Sequence, residues 1–506
     1  MNKPLLLSLT ATLLLSANVN AETMYTRFQT MELHVKKLQH ELDTLKAEQQ
    51  QIKEDAILAK KEAEQSKDDD EEESVDDKLS DIEETLSDLN KATNGNHLKF
   101  NVDYRYTVEN MQYKLADGST ANNDAFMTNR LWINMNWAAT KHISFSGQLA
   151  YNKAFGARSG AQNAANDTFD WITNENAYDD TIRVRSAYFL YKNDTFLGGD
   201  IPWTFSIGRR PSTNGHLVNL RDDDHASSPM AHSINVEFDG LSSKFGLENV
   251  TGVDGMYVKF CAGRGMSNAK PRINATPYAS NKNTTPDIDL AGLIFVPYDN
   301  GQYSLNTQYY YANNLMDATS ITNPTLKTVG GLHSFTANII ANGIGDGISD
   351  FLDDTLFFVS GAVSITNPNK SGGGMLGRDN ARTGYSYWTG VQFPSLISEE
   401  GRWGVEYNHG SKFWRSMTYG EDTNIGSKLA VRGDAYEAYF TEPLIEDVLS
   451  MQVRYTYIDY KYAGSNGFFG GATGTPLSMD QAIASGVGSA VVDTAQDIRF
   501  YIRYRY

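Results

Sequence analysis

From Phe100 to the last residue, apolar side chains recur at every second position. Phe100, Val102, Tyr104, Tyr106 and Val108 alternate with Lys99, Asn101, Asp103, Arg105 and Thr107. Leu131, Ile133, Met135 and Trp137 alternate with Arg130, Trp132, Asn134 and Asn136. A period of two belongs to a strand whose two faces meet different media, one apolar and one polar. Sixteen segments carry this reading: 97–109, 126–138, 142–153, 181–192, 201–210, 232–239, 255–263, 288–298, 302–312, 329–341, 355–365, 383–393, 401–409, 429–441, 448–462 and 494–506.

Their connections alternate in length. The odd ones run 16 to 31 residues, including 154–180, 264–287 and 463–493, and the even ones are mostly short, such as 139–141 and 299–301. An even strand number with short turns at one rim and long loops at the other is the pattern of a transmembrane antiparallel β-barrel. The expected fold class is all-β, a barrel of about 16 strands at 97–506, with an N-terminal α-helical coiled coil. Past the first 20 positions no run reaches the roughly 20 apolar residues that a helical span needs. A lone cysteine, Cys261, excludes an intrachain disulfide framework, and the net charge of −18 argues against nucleic acid as a partner.

The N-terminus reads as an address. Lys3 precedes an apolar run from Leu5 to Leu15, and Val19-Asn20-Ala21 fits a cleavage site, so residues 1–21 form a secretory signal peptide. Segment 22–96 holds 10 basic and 21 acidic residues. Within it Met24, Phe28, Met31, Val35, Leu38, Leu42 and Leu45 follow the alternating four- and three-residue steps of a coiled coil. The acidic run Asp68–Glu73 interrupts that register, a second stripe from Val75 to Leu89 resumes it in another phase, and Asn94-Gly95-Asn96 ends it. The alternative is a single amphipathic helix lying on a surface.

The chain ends in Ile498, Phe500, Ile502, Tyr504 and Tyr506, alternating with Asp497, Arg499, Tyr501, Arg503 and Arg505. This resembles the C-terminal assembly signal of bacterial outer-membrane proteins, with Phe500, Ile502, Tyr504 and Tyr506 as its apolar face. Signal peptide, coiled coil and barrel together resemble the porin superfamily, in particular members with a periplasmic coiled-coil extension. That resemblance implies homotrimers of barrels with about 16–18 strands, sited in the outer membrane with the N-terminal segment in the periplasm. The stretch Gly208-Arg209-Arg210-Pro211-Ser212-Thr213-Asn214-Gly215 also resembles an outer-membrane family catalogued as a domain of unknown function. The Pro-Glu-Phe-Gly-Gly motif that many general porins carry in the pore-narrowing loop is missing.

On the face opposite the apolar one, pore-lining candidates are Lys99, Arg105, Arg130, Arg183, Arg185, Arg210, Arg454, Arg499 and Arg503, with Lys259 and Arg402 beside them. Acids expected on that face are Asp103, Glu109, Glu237, Asp239, Glu406 and Asp497. Bracing of the wall by ion pairs is favoured over a role in selectivity. The third long connection, 211–231, carries Asp222, Asp223 and Asp224 next to His225; folded inward, these acids would face the arginines across a constriction. Residue types alone favour a solvated surface loop slightly over that arrangement. A metal site is not expected, because adjacent residues of one loop rarely converge on an ion.

No nucleophile motif or haem motif occurs, so neither catalysis nor a cofactor is expected. The leading expectation is a channel for passive diffusion of small hydrophilic solutes, anion-leaning if the basic wall is unpaired. The competing readings are a structural barrel anchoring a periplasmic coiled coil to the envelope, with peptidoglycan as a partner, and a barrel accessory to a surface complex. Outer-membrane lipid surrounds the barrel in all three.

Overall fold

The computed structural model describes residues 99–155, 182–212, 215–267, 287–318, 326–345, 347–369, 374–418, 421, 423–464 and 474–506. The chain divides into two units, 1–93 and 94–506. The signal peptide and the coiled coil of 22–96 lie outside the described residues.

Among the described residues sixteen long strands follow one another: β1 (Lys99–Leu115), β2 (Thr120–Ala138), β3 (Ile143–Ala154), β4 (Arg183–Asn193), β5 (Trp203–Ser212), β6 (Ile234–Gly246), β7 (Tyr257–Met266), β8 (Ile288–Asp299), β9 (Tyr303–Ala318), β10 (Leu326–Asn342), β11 (Leu356–Pro368), β12 (Thr383–Pro394), β13 (Arg402–Gly410), β14 (Gly433–Ile445), β15 (Leu449–Tyr460) and β16 (Val492–Arg505). Each pairs antiparallel with the next, and β16 pairs with β1, from Asp103↔Arg505 to Leu115↔Val492. The sheet therefore closes. At the seam Tyr506 N–H donates to Val102 O at 2.9 Å and Val102 N–H to Tyr506 O at 2.7 Å. Each of the sixteen expected segments overlaps one of these strands, with ends that differ, as at 429–432, which precede β14.

Closure sorts the alternating side chains. Val184, Phe189, Ile207, Leu241, Phe260, Phe335, Ile339, Val359, Val405, Val453, Ile498 and Ile502 are exposed large apolar residues on the outside. Asp103, Arg105, Glu109, Arg130, Gln308, Asn338, Ser360, Glu406, Arg454 and Arg499 are buried inside. A water-soluble fold does the reverse, so this surface is made for hydrocarbon. Aromatic clusters flank it. Tyr191, Phe196, Trp203 and Phe245 gather near the short turns, whereas Tyr385, Tyr387, Tyr407 and Tyr436 gather near the long connections.

Two long connections are shorter than expected. β1 and β2 continue as a polar hairpin to a turn at 116–119, and β9 runs on to Ala318 with β10 starting at Leu326. Beyond the apolar band the backbone ladder persists while the outward side chains turn polar, as at Gln112↔Asn122 and Lys114↔Thr120, so periodicity in apolar residues ends before the strand does. Asp239, expected inside, is on the outer face with the exposed Leu241, because the buried Phe238 takes the inner side.

Deleting Phe500–Tyr506 removes the pairing of β16 with both β1 and β15 over the lower half of the seam. The expected outcome is loss of outer-membrane protein whose gel mobility changes on heating; normal amounts of such heat-modifiable protein after the deletion would contradict it.

Candidate functional site: the lumen and its two inward loops

The third long connection, described from Gly215 to Ser233, turns into the barrel rather than over it. Leu217, Val218, Asn219, Arg221, Asp222, Met230, Ala231, His232 and Ser233 are all buried. This corrects the expectation of a solvated loop, and the reason is apolar. Leu217, Val218 and Ala231 pack with Ile340, Phe358 and Trp388 of β10, β11 and β12, and with Leu429 of the seventh long connection. Leu217 is fully buried at φ 84, a left-handed conformation that a branched residue holds only under strong packing. Polar tethers reach the far wall as well: Gln308 accepts from Met230 N–H at 2.8 Å, and the Ser233 and Thr336 hydroxyls are 2.5 Å apart. His232 bridges Ser360 at 2.8 Å and Ser386 at 2.9 Å; burial pushes its ring down to about 3, so it stays neutral between the two hydroxyls.

The described residues of the seventh connection, 411–418, 421 and 423–432, also enter the lumen, a feature the sequence reading missed. Trp414, Arg415, Met417, Lys428, Leu429, Val431 and Arg432 are buried, and Met417–Thr418 runs parallel against Ile234–Asn235 at the start of β6. Arg432 ties the seventh connection to the eighth, donating to Trp414 O at 2.8 Å and to Ala463 O, beyond β15, at 3.0 Å.

Ion pairs join both loops to one wall. Arg221 of the third connection meets Asp222 at 3.0 Å and Glu437 of β14 at 3.4 Å. Lys428 of the seventh connection contacts the same Glu437 and meets Glu406 of β13 at 2.6 Å. Glu406 also accepts from Trp388 Nε1 at 2.8 Å, and Glu437 from Thr456 Oγ1 at 2.9 Å. Nearby, Asp103 accepts from Arg503 through both oxygens, at 2.9 and 2.5 Å, and pairs with Arg130 at 3.3 Å. Arg503 reaches on to Asp224 at 2.8 Å and to the Asp222 carbonyl at 2.7 Å, while Arg505 holds Asp223 at 2.6 Å. The acids at 222–224 thus sit on the arginine wall.

The other candidates divide by height and side. Arg454 is buried within 4.0 Å of Asp222 and 3.9 Å of Glu437, and Arg499 lies 3.6 Å from Glu109. Arg105 stands directly opposite both Arg130 and Arg503 and lies over the Tyr501 ring at 5.2 Å. Arg130 and Arg185 stack on Trp132, with Arg185 also 3.4 Å from Glu237. Arg183 opens β4 partly buried, opposite Ala150. Lys99 and Arg402 are exposed at the short-turn rim. Arg210 lies on the opposite side of the lumen, where a cavity of about 710 Å³ remains. Among the described residues no group of three His, Cys, Asp or Glu is placed to hold a metal ion.

Like charges facing across strands destabilise a sheet, so the Arg105, Arg130, Arg503 row depends on its carboxylates. Breaking a buried pair by removing one partner costs roughly 3–5 kcal/mol, because the other charge is stranded. Lys428→Met leaves Glu406 and Glu437 facing each other and is expected to lower the unfolding temperature of the heat-modifiable protein markedly. Asp223→Asn, at a half-exposed pair worth about 1 kcal/mol or less, is expected to change it little; thermal melts of the two variants check the contrast.

Among solved structures, OprB of Pseudomonas putida is similar, 13% identical with a TM-score of 0.44, covering 83% of this chain and 96% of that one. The anion-selective porin from Comamonas acidovorans is 10% identical with a TM-score of 0.44, over 82% and 99%. OmpT of Vibrio cholerae is 13% identical with a TM-score of 0.42, over 81% and 97%. At these values nothing about solute or selectivity follows from them. No curated protein matches. A family model described as "Protein of unknown function (DUF3373)" matches residues 120–506, every strand from β2 onward, and the chain belongs to that family.

Proposed function

We propose that the protein is an outer-membrane channel for the passive diffusion of small hydrophilic solutes. The observation that carries this reading is the closed barrel whose outside is apolar and whose inside is polar, with a cavity left beside the inward third loop. A structural barrel would need no polar cavity. Solute passes through the space between the inward loops and the wall of β2 to β9. The pore-lining role of Arg105, Arg130, Arg183, Arg185, Arg210, Arg454, Arg499 and Arg503, and of Lys99 at the rim, belongs to this proposal, as does a constriction formed by Asp222–Asp224. Because the acids at 222–224 partner Arg503, Arg505 and Arg454, that wall lends little net charge and braces the loop. Anion preference then comes from the opposite wall.

The extent to which two loops enter the lumen supports a second reading, an anchor for a periplasmic coiled coil at 22–96 reaching toward the cell wall. In both readings the protein is a homotrimer, and the signal peptide at 1–21 directs it out of the cytoplasm.

Planar-bilayer recording separates the two. The channel reading expects discrete, voltage-tolerant conductance steps from the purified full chain, and their absence from folded, heat-modifiable protein would overturn it. Within a conducting protein, Asp223→Asn with Asp224→Asn removes the carboxylates facing Arg503 and Arg505. The reversal potential under a salt gradient is expected to move toward anions; no movement would show that these acids lie off the solute path.

A further inference from the structure

The remaining cavity has a chemistry unlike that of the braced wall. It lies toward the short turns, between the third connection and the inner faces of β2 to β9. Lys244 on β6 and Lys259 on β7 are direct cross-strand partners and both line it. Arg210 of β5 lines it too, donating to Ser206 Oγ and to Ser242 Oγ at 2.6 Å, and Ser242 is the inward residue next to Lys244 on β6. Three cations thus converge, two of them directly opposed, an arrangement that costs stability unless something anionic answers it.

Neutral groups hold all three. Lys259 Nζ donates to Ser228 Oγ of the third connection at 2.7 Å, Lys244 Nζ sits 3.9 Å from the Tyr257 ring centroid, and Arg210 lies over Tyr188 at 4.8 Å. Among the described lining residues the acid is Asp299, which acts on Lys244 through space without forming an ion pair with it, and His216 and His225 of the third connection add imidazoles to the same space. On the far wall, by contrast, Arg130, Arg454, Arg499 and Arg503 each lie within 4.0 Å of a carboxylate.

We propose that Arg210, Lys244 and Lys259 form a binding site for a small, multiply charged oxyanion. The two ammonium groups supply point charges, the guanidinium a planar fork, and Ser228 a hydroxyl donor once its lysine turns to the ligand. The site deepens the channel reading and rests on it for its meaning as a station on the solute path; binding itself is measured without transport.

Inorganic phosphate is the probe, added in equilibrium dialysis to the full chain folded in detergent at low ionic strength. Saturable binding is expected, weakened roughly tenfold or more by Lys244→Gln with Lys259→Gln, as loss of two charge-assisted contacts implies. Lys244→Arg with Lys259→Arg keeps the charge and is expected to retain binding, and Lys141→Gln, on an outlying turn, to leave it unchanged. Single Lys244→Gln relieves the cross-strand repulsion, so it is expected to weaken binding while raising the unfolding temperature, which guards against a variant that merely fails to fold. Absence of saturable binding to the wild type, or equal affinity in the folded double Gln variant, would overturn the site. Phosphate binding without bilayer conductance would count against the channel alone; conductance without saturable binding would count against the site alone.

Discussion

The seam between β1 and β16 is the contact on which the rest depends. In hydrocarbon an unpaired backbone N–H or C=O costs several kcal/mol, so a sheet can cross a membrane only if it has no edge. Thirteen residues of β1 find partners on β16, and the last amide of the chain is paired through Val102. Once the ladder closes, a period of two in the sequence becomes an inside and an outside. The apolar set is committed to lipid, and the polar set is committed to a lumen that must then be hydrated or filled.

This lumen is partly filled, and electrostatics decides how. Fixing two loops inside a polar tube orders many residues at an entropic cost that hydrogen bonds to water cannot offset. Here the compensation is twofold. Leu217, Val218 and Leu429 complete an apolar cluster with Trp388 and Phe358, and the ion pairs around Glu437 take one cation from each loop. Glu437 therefore couples the third and seventh connections: neither loop can leave without stranding a buried charge. The result is two unlike walls, one neutralised by loop acids and one where Lys244 faces Lys259 across a strand pair.

Much of this was legible in the sequence. Alternation located all sixteen strands because lipid contact imposes it locally on each strand, and the same alternation with a terminal aromatic marked the closing strand. The hairpin tips escaped because they pair above the apolar band, where composition no longer distinguishes strand from loop. The third connection was misjudged on its run of Asp222–Asp224; the better signal was Leu217, Val218 and Leu220 just before them, too apolar for a solvated tip. In the seventh connection Phe413, Trp414 and Met417 carried the same signal unread, and Leu429, assigned to the expected strand 429–441, lies in the loop instead. Glu437 was missed because its strand alternates less cleanly, and its partner Arg221 lies 216 residues away. The opposed lysines were invisible without the β6–β7 register.

The central claim, that the third connection crosses the lumen and docks on the wall of β10, is tested most directly by a designed disulfide. Ser233 and Thr336 are both buried with their hydroxyls 2.5 Å apart, although β6 and β10 are not neighbours in the sheet. In a Cys261→Ala background, Ser233→Cys with Thr336→Cys is expected to oxidise quantitatively in the assembled barrel, seen as one cross-linked peptide pair by mass spectrometry. Two thiols that stay separate and alkylate freely in folded, heat-modifiable protein would place the loop outside the lumen and contradict the account.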